Sequence, residues 1–109
     1  MLDEIQFRDR ADEALNDLAR RLASASERHD FEPDFRAGAL AIEFDDPPAK
    51  FVISPNSPVR QIWVSAHSKS FKLDWDPGRA AFILPATGQT LADLISEAIG
   101  QQLGEDVTV

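Results

Sequence analysis

Apolar side chains near the start of the chain recur at three- and four-residue steps: Ile5, Ala11, Ala14, Leu15, Leu18 and Leu22. That spacing lays a single stripe along a helix and predicts a first amphipathic helix from Ile5 to about Ala25. The polar stretch Ser24-Ala25-Ser26-Glu27-Arg28-His29-Asp30 closes it, and Pro33 forbids its continuation. The period then changes to two. Short β-branched or aromatic runs cover Phe31 to Arg36, Ala39 to Phe44, Lys50 to Ser54, Arg60 to Ala66, Ser70 to Asp74 and Ala80 to Leu84. Asp45-Asp46-Pro47-Pro48, Ser54-Pro55-Asn56-Ser57-Pro58 and Asp76-Pro77-Gly78 read as the turns between them. Connections this short join antiparallel neighbours, so the runs predict a meander. Thr90 and Asp93 have capping-box spacing, and Leu91, Leu94, Ile95, Ala98, Ile99 and Leu103 line one face of a closing helix.

The economical packing is a two-layer α+β sandwich, with the N- and C-terminal helices on one face of the antiparallel sheet. The other face is left to solvent or a partner. Side chains alternate across a strand, so if Ile62 and Val64 point to the helices, Gln61, Trp63 and Ser65 point away. By the same rule Phe71, Leu73 and Trp75 point inward, and Ser70, Lys72 and Asp74 outward. Lys72 then becomes a candidate cross-strand neighbour of Trp63, with a cation over an indole. An exposed tryptophan admits two readings: a local contact with loops or another aromatic ring, or an anchor for a binding partner, since tryptophan is enriched at interface hot spots.

Composition narrows the function classes. The chain has 109 residues, 43% of them hydrophobic and 28% charged, which suits a single globular domain over residues 1–109. Nineteen acidic residues against 11 Lys and Arg give a formal charge of −8, which repels nucleic-acid phosphates and anionic lipid. No cysteine is present, so thiolate metal sites, disulfides and cysteine nucleophiles are excluded. No apolar stretch approaches the length of a membrane span, and the acidic start MLDEIQFRDRADE is unlike a signal peptide. The expectation is a soluble, cytoplasmic protein, monomeric when alone.

Asp9, Glu13 and Asp17 stand four residues apart along the first helix, with Asp12 beside them. A second acidic group comprises Glu27, Asp30, Glu32 and Asp34. Carboxylates are hard oxygen ligands for divalent cations, and an open row of them holds a metal weakly. A solvated acidic face needs no ligand at all, and Arg21 is spaced to pair with Asp17. His29 and His67 have no metal-ligand spacing and read as plain surface residues. Nucleophile elbows, phosphate-binding glycine loops and zinc-protease motifs are all missing, so a binding or regulatory protein is expected rather than an enzyme.

One segment is more specific. Phe51-Val52-Ile53-Ser54-Pro55-Asn56-Ser57-Pro58, Gln61-Ile62-Trp63-Val64-Ser65 and Asp74-Trp75 resemble the frataxin family and its bacterial CyaY members. The likeness extends to the acidic first helix, the strand Gly38-Ala39-Leu40-Ala41-Ile42 and the closing helix. It implies an accessory protein of iron-sulfur cluster assembly that docks on the cysteine desulfurase and its scaffold protein and delivers or senses iron. It also implies a docking surface at Asn56, Gln61, Trp63 and Lys72, and loosely bound ferrous or ferric iron at the carboxylates of the first helix and first strand. Related sequences carry acids where this chain has Ala19, Arg20, Ala23 and Ser24, and usually Asn where it has Ser54; Asp30, Glu32 and Asp34 keep the strand-side acids. Two alternatives accompany this reading: an acidic interaction module without a metal role, and a weak ferrous-iron oxidase.

Overall fold

The computed structural model describes residues 2–109. Helix α1 spans Glu4–Ala25. Strands β1 (Glu32–Arg36), β2 (Ala39–Asp45) and β3 (Pro48–Asn56) follow, then a 3-10 turn at Ser57–Val59. Strands β4 (Gln61–Ala66), β5 (Lys69–Asp76), β6 (Ala81–Leu84) and β7 (Gln89–Thr90) lead into α2 (Leu91–Leu103). The strands form a single antiparallel sheet in chain order, β1 to β7, which is the expected meander. Both helices contribute apolar side chains to one core with the inner sheet face, confirming the α+β sandwich.

That core joins Phe7, Leu15, Leu18 and Leu22 of α1 to Leu40, Ile42, Phe51, Ile53, Ile62, Val64 and Leu73 of the sheet. Leu94, Ile95, Ala98 and Ile99 of α2 close its other side. Each such residue taken from water is worth about 1.5–3 kcal/mol, so the sandwich is held by apolar burial. Among the described residues no polar or charged residue is buried. Of the inward set, Phe71 and Trp75 are only partly buried against the core; the Trp75 ring meets Phe82 edge-on at 5.2 Å, while the Arg10 guanidinium lies 5.5 Å from its centroid at the open side.

The stripe of α1 differs from expectation at its first turn. Ile5 is 73% exposed, whereas Phe7 is fully buried and meets the Phe82 ring edge-on at 5.8 Å. Two residues turn a helix by about 200°, so once Phe7, Ala11 and Leu15 define the buried line, Ile5 falls on the opposite side. Asp3 caps this helix: its carboxylate accepts from the Gln6 backbone N–H at 2.8 Å, and the Gln6 side chain accepts from the Asp3 N–H. The predicted box at α2 forms in the same way between Thr90 and Asp93.

Strand β3 is longer than the expected run from Lys50 to Ser54, because Pro48 and Ala49 before it and Pro55 and Asn56 after it belong to it. Its pairing with β2 stops at Ile53, so Pro55 pairs only with Ile62 of β4, and a missing N–H on the open side breaks no ladder. Strand β7 has only two residues, too few to leave a period-two pattern. After α2, Gly104 takes a left-handed conformation and turns the chain. A Cβ on Gly100 would stand 2.9 Å from the Glu105 carbonyl, so glycine is what lets the tail fold back. Val107 then enters the core, and the Val109 N–H donates to Ser96 Oγ at 3.0 Å.

Both histidines make long-range hydrogen bonds that local pattern does not show; His67 is an exposed residue, as expected, whereas His29 is half-buried. The Nδ1–H of His29 donates to Glu105 Oε1 at 2.9 Å, with the ring only 16% exposed, and so ties the end of α1 to the tail. His67 Nε2–H donates to the Ala98 carbonyl at 3.0 Å, and its ring lies against Phe51 at 5.0 Å, linking the β4–β5 turn to α2. These partners lie 76 and 31 residues away, beyond the reach of local pattern.

Candidate functional site

The helix-free sheet face is set by the hairpins. His67 and Ser68 both adopt left-handed conformations between the paired residues Ala66 and Lys69, making a two-residue turn of the type that matches strand twist. That turn fixes the β4–β5 register, and with it the rows on the outer face. One row runs Asn56, Gln61, Asp74; the next runs Ser54, Trp63, Lys72. The four expected docking residues therefore stand together in adjacent rows across three strands.

Trp63 is 36% exposed, as its outward alternation requires. Lys72 stands directly opposite it, with the ammonium 5.0 Å from the ring centroid, so the cation–indole pairing forms. Such a contact is worth about 0.5–1 kcal/mol at an exposed site. The indole Nε1–H donates to Gln61 Oε1 at 3.0 Å, and Gln61 Nε2 donates to Asp74 Oδ1 at 3.0 Å. Asp74 was expected to face outward but not to belong to the site. Its alternation was readable, whereas its position opposite Gln61 depends on the hairpin turn.

The acidic residues are distributed differently. Asp9, Asp12 and Glu13 are exposed on α1, and Glu13 has a loose partner in Arg10 at 3.5 Å. Asp17 is held by Arg21 at 2.8 Å and Arg20 at 3.2 Å. The hydrogen bond from Arg21, aided by the positive charge of both arginines, lowers the Asp17 carboxyl below its ordinary value. Asp34 pairs with Arg36 at 3.1 Å, while Glu27, Asp30 and Glu32 are exposed. Among the described residues no three acidic or histidine side chains gather around one point. The arrangement offers a dispersed negative flank with arginines interleaved.

Of the depressions that adjoin these surfaces, two share Trp75. A groove of about 560 Å³ lies between α1 and the β6–α2 end of the sheet, with Trp75 and Phe82 among its lining and Arg10, Glu13, Asp17 and Arg21 along α1. A smaller one of about 410 Å³ is lined by Leu2, Val59, Arg60, Asp74, Trp75 and Pro77, and so meets the outer-face rows at Asp74. Among the described residues neither is lined by an ionisable residue that is buried as a whole, although Arg60, in the smaller one, has its Nε buried without a hydrogen-bond partner.

Residues 1–105 match the family model for the frataxin-like domain. The chain belongs to that family. It is 30% identical to a Ralstonia nicotianae protein named iron-sulfur cluster assembly protein CyaY, over 99% of this chain and 95% of the relative. An Azotobacter vinelandii protein of the same name is 29% identical over 87% of each chain. The solved frataxin of Psychromonas ingrahamii superposes with a TM-score of 0.83 over 98% of this chain and 97% of its own, at 21% identity. That last likeness is one of fold, and it agrees with the two-helix sandwich.

Proposed function

We propose that this protein is an accessory and regulatory factor of iron-sulfur cluster assembly that docks on the cysteine desulfurase complex, including its scaffold protein, through the helix-free sheet face. The role in assembly is carried over from the names of its CyaY relatives. The observation that carries the docking reading is Trp63, an indole held outward on a polar sheet by Gln61 and Lys72. Asn56, Gln61, Trp63 and Lys72 form the contact patch. The ring supplies apolar contact, the polar neighbours supply registration, and the acidic flank supplies attraction to a basic partner surface. The protein acts as one non-enzymatic frataxin-like domain over residues 1–109, monomeric and cytoplasmic.

In the same reading, ferrous or ferric iron is cargo held loosely by the surface carboxylates Asp9, Asp12, Glu13, Asp17, Glu27, Asp30, Glu32 and Asp34. A purified desulfurase–scaffold complex titrated with this protein tests the docking half. Trp63→Ala is expected to lose about 2 kcal/mol or more of binding, and binding equal to the parent sinks it. Iron titration followed by NMR tests the other half, with broadening expected at residues 9–17 and 27–34.

The competing reading, an acidic interaction module without a metal role, draws support from the arginines already paired with Glu13, Asp17 and Asp34. Resonances of those two segments that stay unperturbed by iron would select it. A weak oxidase of ferrous iron is a third possibility in the family, and oxygen uptake no faster than with buffer alone removes it.

A further inference from the structure

We propose that Asp74 is the positioning residue of the docking face: acting through Gln61, it holds the Trp63 indole in one orientation. The inference rests on the docking reading above and extends it to a residue one strand away.

The donor and acceptor chemistry leaves a single consistent arrangement. A carboxylate only accepts, so Asp74 Oδ1 selects the amide nitrogen of Gln61, 3.0 Å away. The oxygen end of that amide is thereby turned toward Trp63. An indole N–H only donates, and it meets Gln61 Oε1 at 3.0 Å. The three side chains form a directed chain, Trp63 to Gln61 to Asp74, in which reversing the amide would set two donors against each other. Asp74 stands directly across β5 from Gln61, and Lys72, two residues earlier on the same strand, stands across from Trp63. Strand β5 thus restrains the indole twice, at its N–H through Asp74 and at its ring through Lys72.

Two consequences follow for recognition. The indole N–H is already occupied within the protein, so the partner meets ring carbon and must present an apolar group there rather than a hydrogen-bond acceptor. The ring also enters the complex already ordered. Binding a mobile aromatic side chain carries an entropic cost that a fixed one avoids, a difference of about 2- to 10-fold in affinity.

The test uses the ¹⁵N-labelled full chain and the Trp63 indole N–H resonance. Asp74→Ala is expected to move that resonance and speed its exchange with solvent. Asp74→Asn, whose amide oxygen still accepts from Gln61, is expected to leave it near the parent position. Gln61→Ala, which removes the middle of the chain but leaves Asp74 intact, is expected to move it as Asp74→Ala does. With the purified desulfurase–scaffold complex, Asp74→Ala is expected to weaken binding about 2- to 10-fold, while Asp74→Asn stays within about 2-fold of the parent. An unchanged Trp63 resonance in Asp74→Ala overturns the proposal. So does an equal loss of binding in the Ala and Asn variants, which would make the Asp74 charge itself the partner's contact. If the parent does not bind the complex at all, the docking reading fails, and the indole resonance alone still decides what Asp74 does.

Discussion

Ile62 and Trp63 are consecutive in the chain and lie on opposite faces of β4. Ile62 is fully buried among apolar side chains; Trp63 stands 36% exposed among Gln61, Lys72 and Ser54. The inner face carries no buried polar group among the described residues, and its organisation is apolar packing. The outer face is organised by hydrogen bonds and a cation–indole contact, each of which water can replace at small cost. One face therefore holds the fold together, and the other is free to be specific without destabilising it.

The largest effect expected from breaking that contrast is on the inner side. Ile62→Ala should lose about 2–5 kcal/mol in denaturant unfolding, through lost transfer energy and the cavity left behind. Trp63→Ala, one residue along, should lose less, about 1–2 kcal/mol, through its contact with Lys72, its hydrogen bond to Gln61 and the covered part of its ring. Equal losses would show that the outer face also carries the fold.

A smaller effect concerns the turn that sets the register between the faces. Ser68 has φ of 61°, a left-handed conformation that disfavours any residue with a Cβ, in a turn that prefers glycine at that position. Ser68→Gly should stabilise the protein by about 0.5–1 kcal/mol, read as a higher thermal midpoint, with Trp63 binding unchanged.

The smallest effect belongs to the helix flank. Asp17 has its folded-state pKa lowered by Arg21, so its ion pairs stabilise the fold above the unfolded carboxyl value of about 3.9, and that stabilisation is lost as pH falls through the lower folded value. Because the pair is half-exposed, solvent screening limits it to about 0.3–0.5 kcal/mol. The stability gap between the parent and Asp17→Asn should close as pH drops below about 4, measured by thermal unfolding across pH 2–7. A gap that persists in acid would assign Asp17 a role other than its charge.

Much of this is legible in the amino-acid sequence. The helical stripe, the meander, the α2 capping box and the outward direction of Gln61, Trp63, Lys72 and Asp74 all follow from repeats of two to four residues. The misreadings have a common origin. Ile5 fitted the spacing until Phe7 set the phase of the buried line; Pro48 and Pro55 looked like turn residues until the ends of the β2 and β4 pairings were known. His29 and His67 looked idle because their partners, Glu105 and Ala98, are distant in the chain.

The sequence by itself determined which way each strand residue points, because alternation is a property of covalent backbone geometry and needs no neighbour. Which residue lies across from it was decided only by the tertiary structure, through hairpin turns and the docking of both helices. Trp63 was therefore readable as an exposed indole. The chain from Trp63 through Gln61 to Asp74 was not, because it exists only once β4 and β5 are held in a single register.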